Sequence, residues 1–388
     1  MGAETEEKKE QKNRAGTRAL SVVKSRPFRV VLIVLIVAAA AAFIIANWRF
    51  LSYSSRYVDS DEDTMSYTYY AVEDHVLKCG LDAAGYYDRY DNQLWTVNYD
   101  MNEPRMVKCG TTCAVYDRMG TTICILTPEG EKGRLQTSLP ILRVEVASSG
   151  MVAALLDDGT TARISCYNPD GTLVATIKTT MDANGYPMDI ALSKSGIILA
   201  VSYLQFAQGM PVTTIHFYNF GSRGKAATDN IINTYTYSNI LVPEIHYMDN
   251  SDCVAFTSEG MIIFKGNETP REFRRIRIDG TIASTFYDEN HFGVLLRNEE
   301  NPSQNIIRVY NTLGARVCSK TADFAYSSVS LSGNEIVMYN SSELCVYSIY
   351  GGLKFKGSLP GIVRQVIPLK DLYYGCINDE SYMLIKLR

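Results

Sequence analysis

Residues equipped for catalysis or ligation are few in this chain, and they do not gather. The four histidines, His75, His216, His246 and His291, fall in four separate stretches and form no metal-ligand spacing of the zinc type. No Gly-x-Ser-x-Gly elbow, no glycine-rich phosphate cradle and no His-Glu-x-x-His pair occurs. The reading is therefore that the chain has no catalytic residue, no metal site and no cofactor, and is not an enzyme. An enzyme whose acids are Asp and Glu of distant loops, acting on carbohydrate or peptide, is the alternative. All nine cysteines follow Tyr67, and most lie inside apolar runs, as do Cys124, Cys166, Cys253, Cys345 and Cys376. An odd count in such settings points to buried small hydrophobes. Cys109 and Cys113 are the one close pair, and a disulfide between them stays open.

What remains is the chemistry of contact. Arg271, Arg274, Arg275 and Arg277 crowd one stretch; they read as a charged edge strand that discourages sheet-to-sheet pairing, with an anionic polymer as the other option. The abundant tyrosines follow from strand propensity without any ligand. The segment 205–211 lies between two apolar strands and carries Phe206 and Met210, and the segment 179–187 carries Tyr186. Apolar side chains on projecting loops have a use only where something covers them. Tyr186, Phe206 and Met210 are thus the candidate partner-binding residues, with 205–211 expected as a loop.

The elements that hold these loops are short strands. One unit is plain: strands at 142–148, 151–156, 161–167 and 172–178, separated by Ser149-Gly150, Asp157-Asp158-Gly159 and Asn168-Pro169-Asp170-Gly171. First strands of like units begin near Arg105, Leu142, Met188, Ile240, Ile282, Ala325 and Val363. Four strands in about 40 residues, repeated, is the period of a β-propeller blade. A first blade at 67–99 and a three-stranded last unit at 362–387 favour eight blades and leave seven possible. A strand at 67–72 is one way to complete the last unit. In such a meander, loops joining second to third strands and loops joining blades emerge on one face. The longer inserts, 179–187, 205–211, 298–304 and part of 223–233, belong mostly there, making that face the candidate binding face.

The N-terminal part differs. Residues 30–48 are 19 consecutive residues without a charge, about the length of a helix that spans a bilayer. Before them stand Lys12, Arg14, Arg18, Lys24, Arg26 and Arg29 with no acid among them; after them come Asp59, Asp61, Glu62 and Asp63. The positive-inside rule then places 1–29 in the cytoplasm as a disordered basic tail, 30–48 as a transmembrane helix, 49–64 as a linker and 65–388 as an extracytoplasmic propeller. A cleaved signal peptide is the alternative, which the long basic region and long apolar run disfavour. Residues 1–50 hold nine Lys/Arg against four Glu, leaving the remainder at about −9. That excludes a nucleic-acid partner for the large domain, since phosphate binding needs a basic field.

The passage Met188-Asp189-Ile190-Ala191-Leu192-Ser193-Lys194-Ser195-Gly196-Ile197-Ile198-Leu199-Ala200-Val201-Ser202 is similar to the first and second strands of WD40-like propellers, though the Trp-Asp dipeptide is missing. More closely, Gly185-Tyr186-Pro187, the stretch 87–95 and the ending Met383-Leu384-Ile385-Lys386-Leu387 resemble an uncharacterised family of membrane-anchored β-propeller proteins from Gram-positive, clostridia-like bacteria. The resemblance implies the fold and an anchored topology; it implies no activity. The expectation is an all-β propeller behind one transmembrane helix, a binding or scaffolding module engaging an envelope protein or wall polymer.

Overall fold

A computed structural model describes residues 30–31, 33–34, 36–37, 48–59, 66–180 and 184–388. The tail 1–29 and most of the segment 30–48 lie outside the described residues. Six residues of that segment, Val30, Val31, Ile33, Val34, Ile36 and Val37, are helical, and each is more than half exposed. Among the described residues no helix is long and apolar enough to cross a membrane.

The alternation of apolar and polar residues produces eight four-stranded antiparallel sheets, arranged as an eight-bladed β-propeller. Blades 1 to 7 are consecutive meanders over 68–98, 104–136, 141–179, 186–238, 244–277, 282–322 and 328–358. Buried apolar side chains collect into eight clusters, one in each gap between neighbouring blades. The cluster between blades 3 and 4, for example, joins Leu155, Ile164 and Cys166 to Ile190, Leu199 and Tyr203. Both faces of every middle strand meet another blade, which is why these strands read as continuous apolar runs such as Val152–Asp157 and Asp252–Thr257.

Blade 8 closes the ring. Its inner three strands are Val363–Pro368, Tyr373–Asn378 and Tyr382–Leu387, and its fourth is Tyr53–Asp59, running antiparallel to Tyr382–Leu387 from the pair Tyr53↔Leu387 to the pair Asp59↔Tyr382. The expected linker 49–64 therefore contains a strand. Its sequence, Tyr-Ser-Ser-Arg-Tyr-Val-Asp, shows no apolar alternation because an outermost strand faces mostly water. Thr68–Val72, the other candidate for closure, is instead the inner strand of blade 1.

Two regularities shape the ring. Each pairing of an outermost strand with its neighbour carries one register shift, in all eight blades, and such bulges add the twist an outer blade edge requires. Four inner strands carry a second shift, ending at Arg143, Asp189, Ser284 and Gln365. The nine cysteines are all free, and every one but Cys109 is buried; Cys109 pairs in register with Thr112, and Cys113 with Lys108. The arginine-rich stretch is the outermost strand of blade 5, Arg271–Arg277, with the arginines exposed.

Candidate functional site

Turns joining first to second and third to fourth strands form one face of the ring, here the short-turn face. Second-to-third connections and blade-to-blade connections form the other, the long-loop face. The insert 223–233 joins the third and fourth strands of blade 4, so it belongs to the short-turn face, where it forms a one-turn helix, Ser222–Lys225, and a 3-10 turn.

The segment 205–211 is not a loop. Strands Ile198–Ala207 and Met210–Asn219 run through it in register, Phe206↔Pro211 and Ala207↔Met210, to a two-residue turn at Gln208-Gly209. Both turn residues have positive φ, 52° and 79°, the geometry that lets a right-twisted hairpin continue to its tip. The flanking strands stop short: the inner strand begins at Tyr186↔Leu204 and the outer one ends at Val212↔Ser238. Three residues, at about 3.3 Å each, thus carry the tip about 10 Å past the inner strand.

On this arm Phe206 is 71% and Met210 51% exposed, and Tyr186 is 47% exposed at its base. Strand alternation puts Leu204, Phe206 and Pro211 on one side of the ribbon and Ala207 and Met210 on the other. The structure brings the three candidates to one arm of the long-loop face, but Phe206 and Met210 point oppositely. Beside Tyr186, a groove of about 230 Å³ is lined by Leu142, Asp157, Thr161 and Pro187.

A second constellation lies on the inner strands of blades 3 to 6, at the central channel. Arg143 Nη1 stands 2.9 Å from Oδ1 of the fully buried Asp189. Asp189 Oδ2 accepts from the backbone N–H of Ile245 at 2.9 Å, and Oδ1 from that of Ile190 at 2.9 Å. One carboxylate thus ties blades 3, 4 and 5. Burial pushes its pKa up, against the pull of Arg143 and His246. Glu145 lies 3.8 Å from Arg143 Nε, and burial pushes it up to about 8, with Arg143 opposing and Asp189 adding to the rise.

Glu244 is held down by His246 alongside and by the Thr285 hydroxyl, which donates to Oε2 at 2.6 Å. The His246 ring stacks on Tyr287 at 3.8 Å between centroids. Across the channel, a cavity of about 940 Å³ opens among the short turns of blades 1, 6, 7 and 8, lined by Tyr69, Asp288, Glu335, Lys354 and Gln365.

Residues following the inner-strand bulges reach the next blade or, for Ser284, the connection leading into it. Arg143 reaches Asp189; Asp189 reaches Ile245 N; Ser284 Oγ lies 2.8 Å from Tyr326 Oη; Gln365 Nε2 donates to Tyr69 O at 2.5 Å. These polar links are a repeated blade-to-blade tie. Sequence reading missed them and saw His246 only as a strand residue, although a polar residue breaking the apolar face of each inner strand was there to be read. No group of His, Cys, Asp and Glu among the described residues is arranged to hold a metal ion.

A model of a family of unknown function, DUF5711, matches residues 46–387. No curated protein sequence matches the chain. Among solved structures, BamB from Moraxella catarrhalis is similar at a TM-score of 0.52 and 11% identity, over 86% of this chain and 98% of that one. Sqt1 from Saccharomyces cerevisiae gives 0.48 and 11%, over 88% and 99%. The Pan2 WD40 domain from Neurospora crassa gives 0.45 and 8%, over 73% and 87%. At such identities the likeness is one of fold.

Proposed function

From a chain that belongs to DUF5711, a family of unknown function whose match spans 46–387, we propose a membrane-anchored, extracytoplasmic scaffold that engages an envelope protein or wall polymer through its long-loop face. The observation that carries the binding role is the blade 4 arm, a paired ribbon bearing exposed Phe206 and Met210 clear of the ring. A paired hairpin loses little entropy on binding, and aromatic anchors dominate interface energy. Because its apolar residues point to both sides of the ribbon, the partner takes the arm into a cleft.

The uncharged run 30–48, with bases before it and acids after it, supports the anchor and its direction. An impermeant amine label on wall-free cells reacts with the propeller under this topology; labelling confined to Lys8 and Lys12 reverses it. Crosslinking from membranes, comparing wild type with Phe206→Ala plus Met210→Ala at equal expression, tests the arm. The expected loss is about 1 to 4 kcal/mol of binding with the fold retained; an unchanged partner set rejects it.

A second reading, an enzyme acting on carbohydrate or peptide, has one observation in its favour. Glu145 is raised to about 8 while Glu244 is lowered, within one group of inner strands, the divergence that acid–base pairs use. Hydrolysis abolished by Glu145→Gln and by Glu244→Gln is its test.

A further inference from the structure

The chain's path into the ring orients the propeller on the membrane. Tyr53–Asp59 begins opposite Leu387, the end of the third strand of blade 8, so it starts at the short-turn face and runs toward the long-loop face. Just before it, the Phe50 N–H donates to Lys354 O in blade 7 at 2.7 Å, and the Leu51 and Ser52 N–H groups donate to Arg388 O at 3.2 and 3.3 Å. The uncharged run ends at Trp48. Only Arg49 lies between it and the first pinned amide, two residue steps or at most about 7 Å of chain. No slack exists there to turn the ring over.

Exposed apolar tips occur on both faces, so exposure alone does not choose between them; the chain path does. Around the entry point, Trp48 is 58% and Leu51 83% exposed, and the third-to-fourth turns of the two blades flanking blade 8 present Tyr350 at 60% and Tyr90 at 44%. Tryptophan and tyrosine are the side chains that settle at headgroup depth, apolar ring inward and polar edge to water. Arg49 and Arg388 are exposed beside them.

We propose that the short-turn edge of blades 7, 8 and 1 rests on the lipid surface from which the chain emerges, with Trp48, Leu51, Tyr350 and Tyr90 at headgroup level. The 940 Å³ cavity then opens toward the membrane, and the Phe206 arm points away from it. This rests on the anchor reading above.

The test uses the full chain, reconstituted in vesicles of phosphatidylcholine and phosphatidylglycerol that carry a headgroup nitroxide. An environment-sensitive fluorophore is placed through Leu51→Cys, Tyr350→Cys, Phe206→Cys or Ile362→Cys in a Cys109→Ser background, the other native thiols being buried. Nitroxide quenching at 51 and 350 is expected to exceed that at 206 and 362 by about twofold or more. Tyr90→Cys repeats the measurement from the blade on the other side, and a β-rich circular-dichroism spectrum checks each variant. Equal quenching on the two faces, or stronger quenching at 206, overturns the orientation while leaving the anchor standing. A chain released from vesicles by alkaline wash overturns both.

Discussion

Replacing Glu145 with glutamine tests the electrostatics of the inner strands around the channel. Glu145 sits on the inner strand of blade 3, and the cation beside it, Arg143, is already committed to Asp189 at 2.9 Å. Burial therefore dominates and raises its pKa from 4.5 to about 8. The full shift corresponds to about 5 kcal/mol between the two protonation states. The side chain keeps 22% of its surface toward the channel, where water relieves part of that penalty, and about 2 kcal/mol is a realistic remainder.

A carboxyl with a raised folded-state pKa binds its proton more tightly in the native state. The stability it contributes is fully present below pH 4.5 and is lost as the pH rises through about 8. Glutamine mimics the protonated acid and cannot titrate. Wild type and Glu145→Gln should therefore melt together near pH 5. Near pH 9 the variant should be more stable by about 2 kcal/mol, about 3 °C in Tm for a unit of this size. The assay is thermal unfolding of the full chain in detergent, followed by circular dichroism across that range. Only the difference between the chains is read, because Asp189 and other groups titrate in both. A difference independent of pH, or a variant less stable at pH 9, would refute the argument: the carboxylate would then be ionised and well bonded at neutrality.

Further predictions follow from the same geometry. Asp189→Ala strands two backbone N–H groups and the Arg143 guanidinium, and should lower stability by about 3 kcal/mol in a urea titration, with Asp189→Asn milder. Deleting residues 53–59 bares the edge of Tyr382–Leu387, so the chain should aggregate and lose its single unfolding transition, read by light scattering and calorimetry. Gln208→Asn suits the two positive-φ turn positions and should stabilise the arm by about 0.5 kcal/mol, read as slower amide exchange at its tip. With eight of nine thiols buried, and Cys113 and Cys166 each pushed up to about 12 by burial, a thiol reagent at pH 8 should find at most Cys109 in the native chain and nine sites after denaturation.

The blade architecture was legible because it rests on local pattern. A middle strand covered on both faces must be apolar throughout, and turns between antiparallel neighbours need Gly, Asn or Asp. The meander over 141–179 could accordingly be drawn from the sequence to within a residue or two, and the first strands of the other units fell close to their observed places. The exposure of Phe206 and Met210 was legible for a related reason: both are apolar where the pattern demanded a break. The free, buried cysteines followed from their apolar settings.

Three features were decided only by tertiary structure. The closing strand Tyr53–Asp59 has an unremarkable polar sequence, because an outermost strand is defined by the edge it finds, over 300 residues away, and not by its own pattern. The blade 4 arm turned an expected loop into paired strands because two residues with positive φ suffice to continue a hairpin, and its pairing register, not its composition, sent Phe206 and Met210 to opposite sides. The Arg143–Asp189–Ile245 tie joins three blades, with Arg143 and Asp189 each following a bulge; each is a polar residue in a largely apolar strand, but nothing local shows which distant segment it will meet. The sequence alone thus set the period, the strand-rich core and the uncharged run near the N-terminus. Which ends meet, which way a ribbon faces and which buried charges find each other depended on contacts between segments far apart in the chain, and no local pattern encodes those.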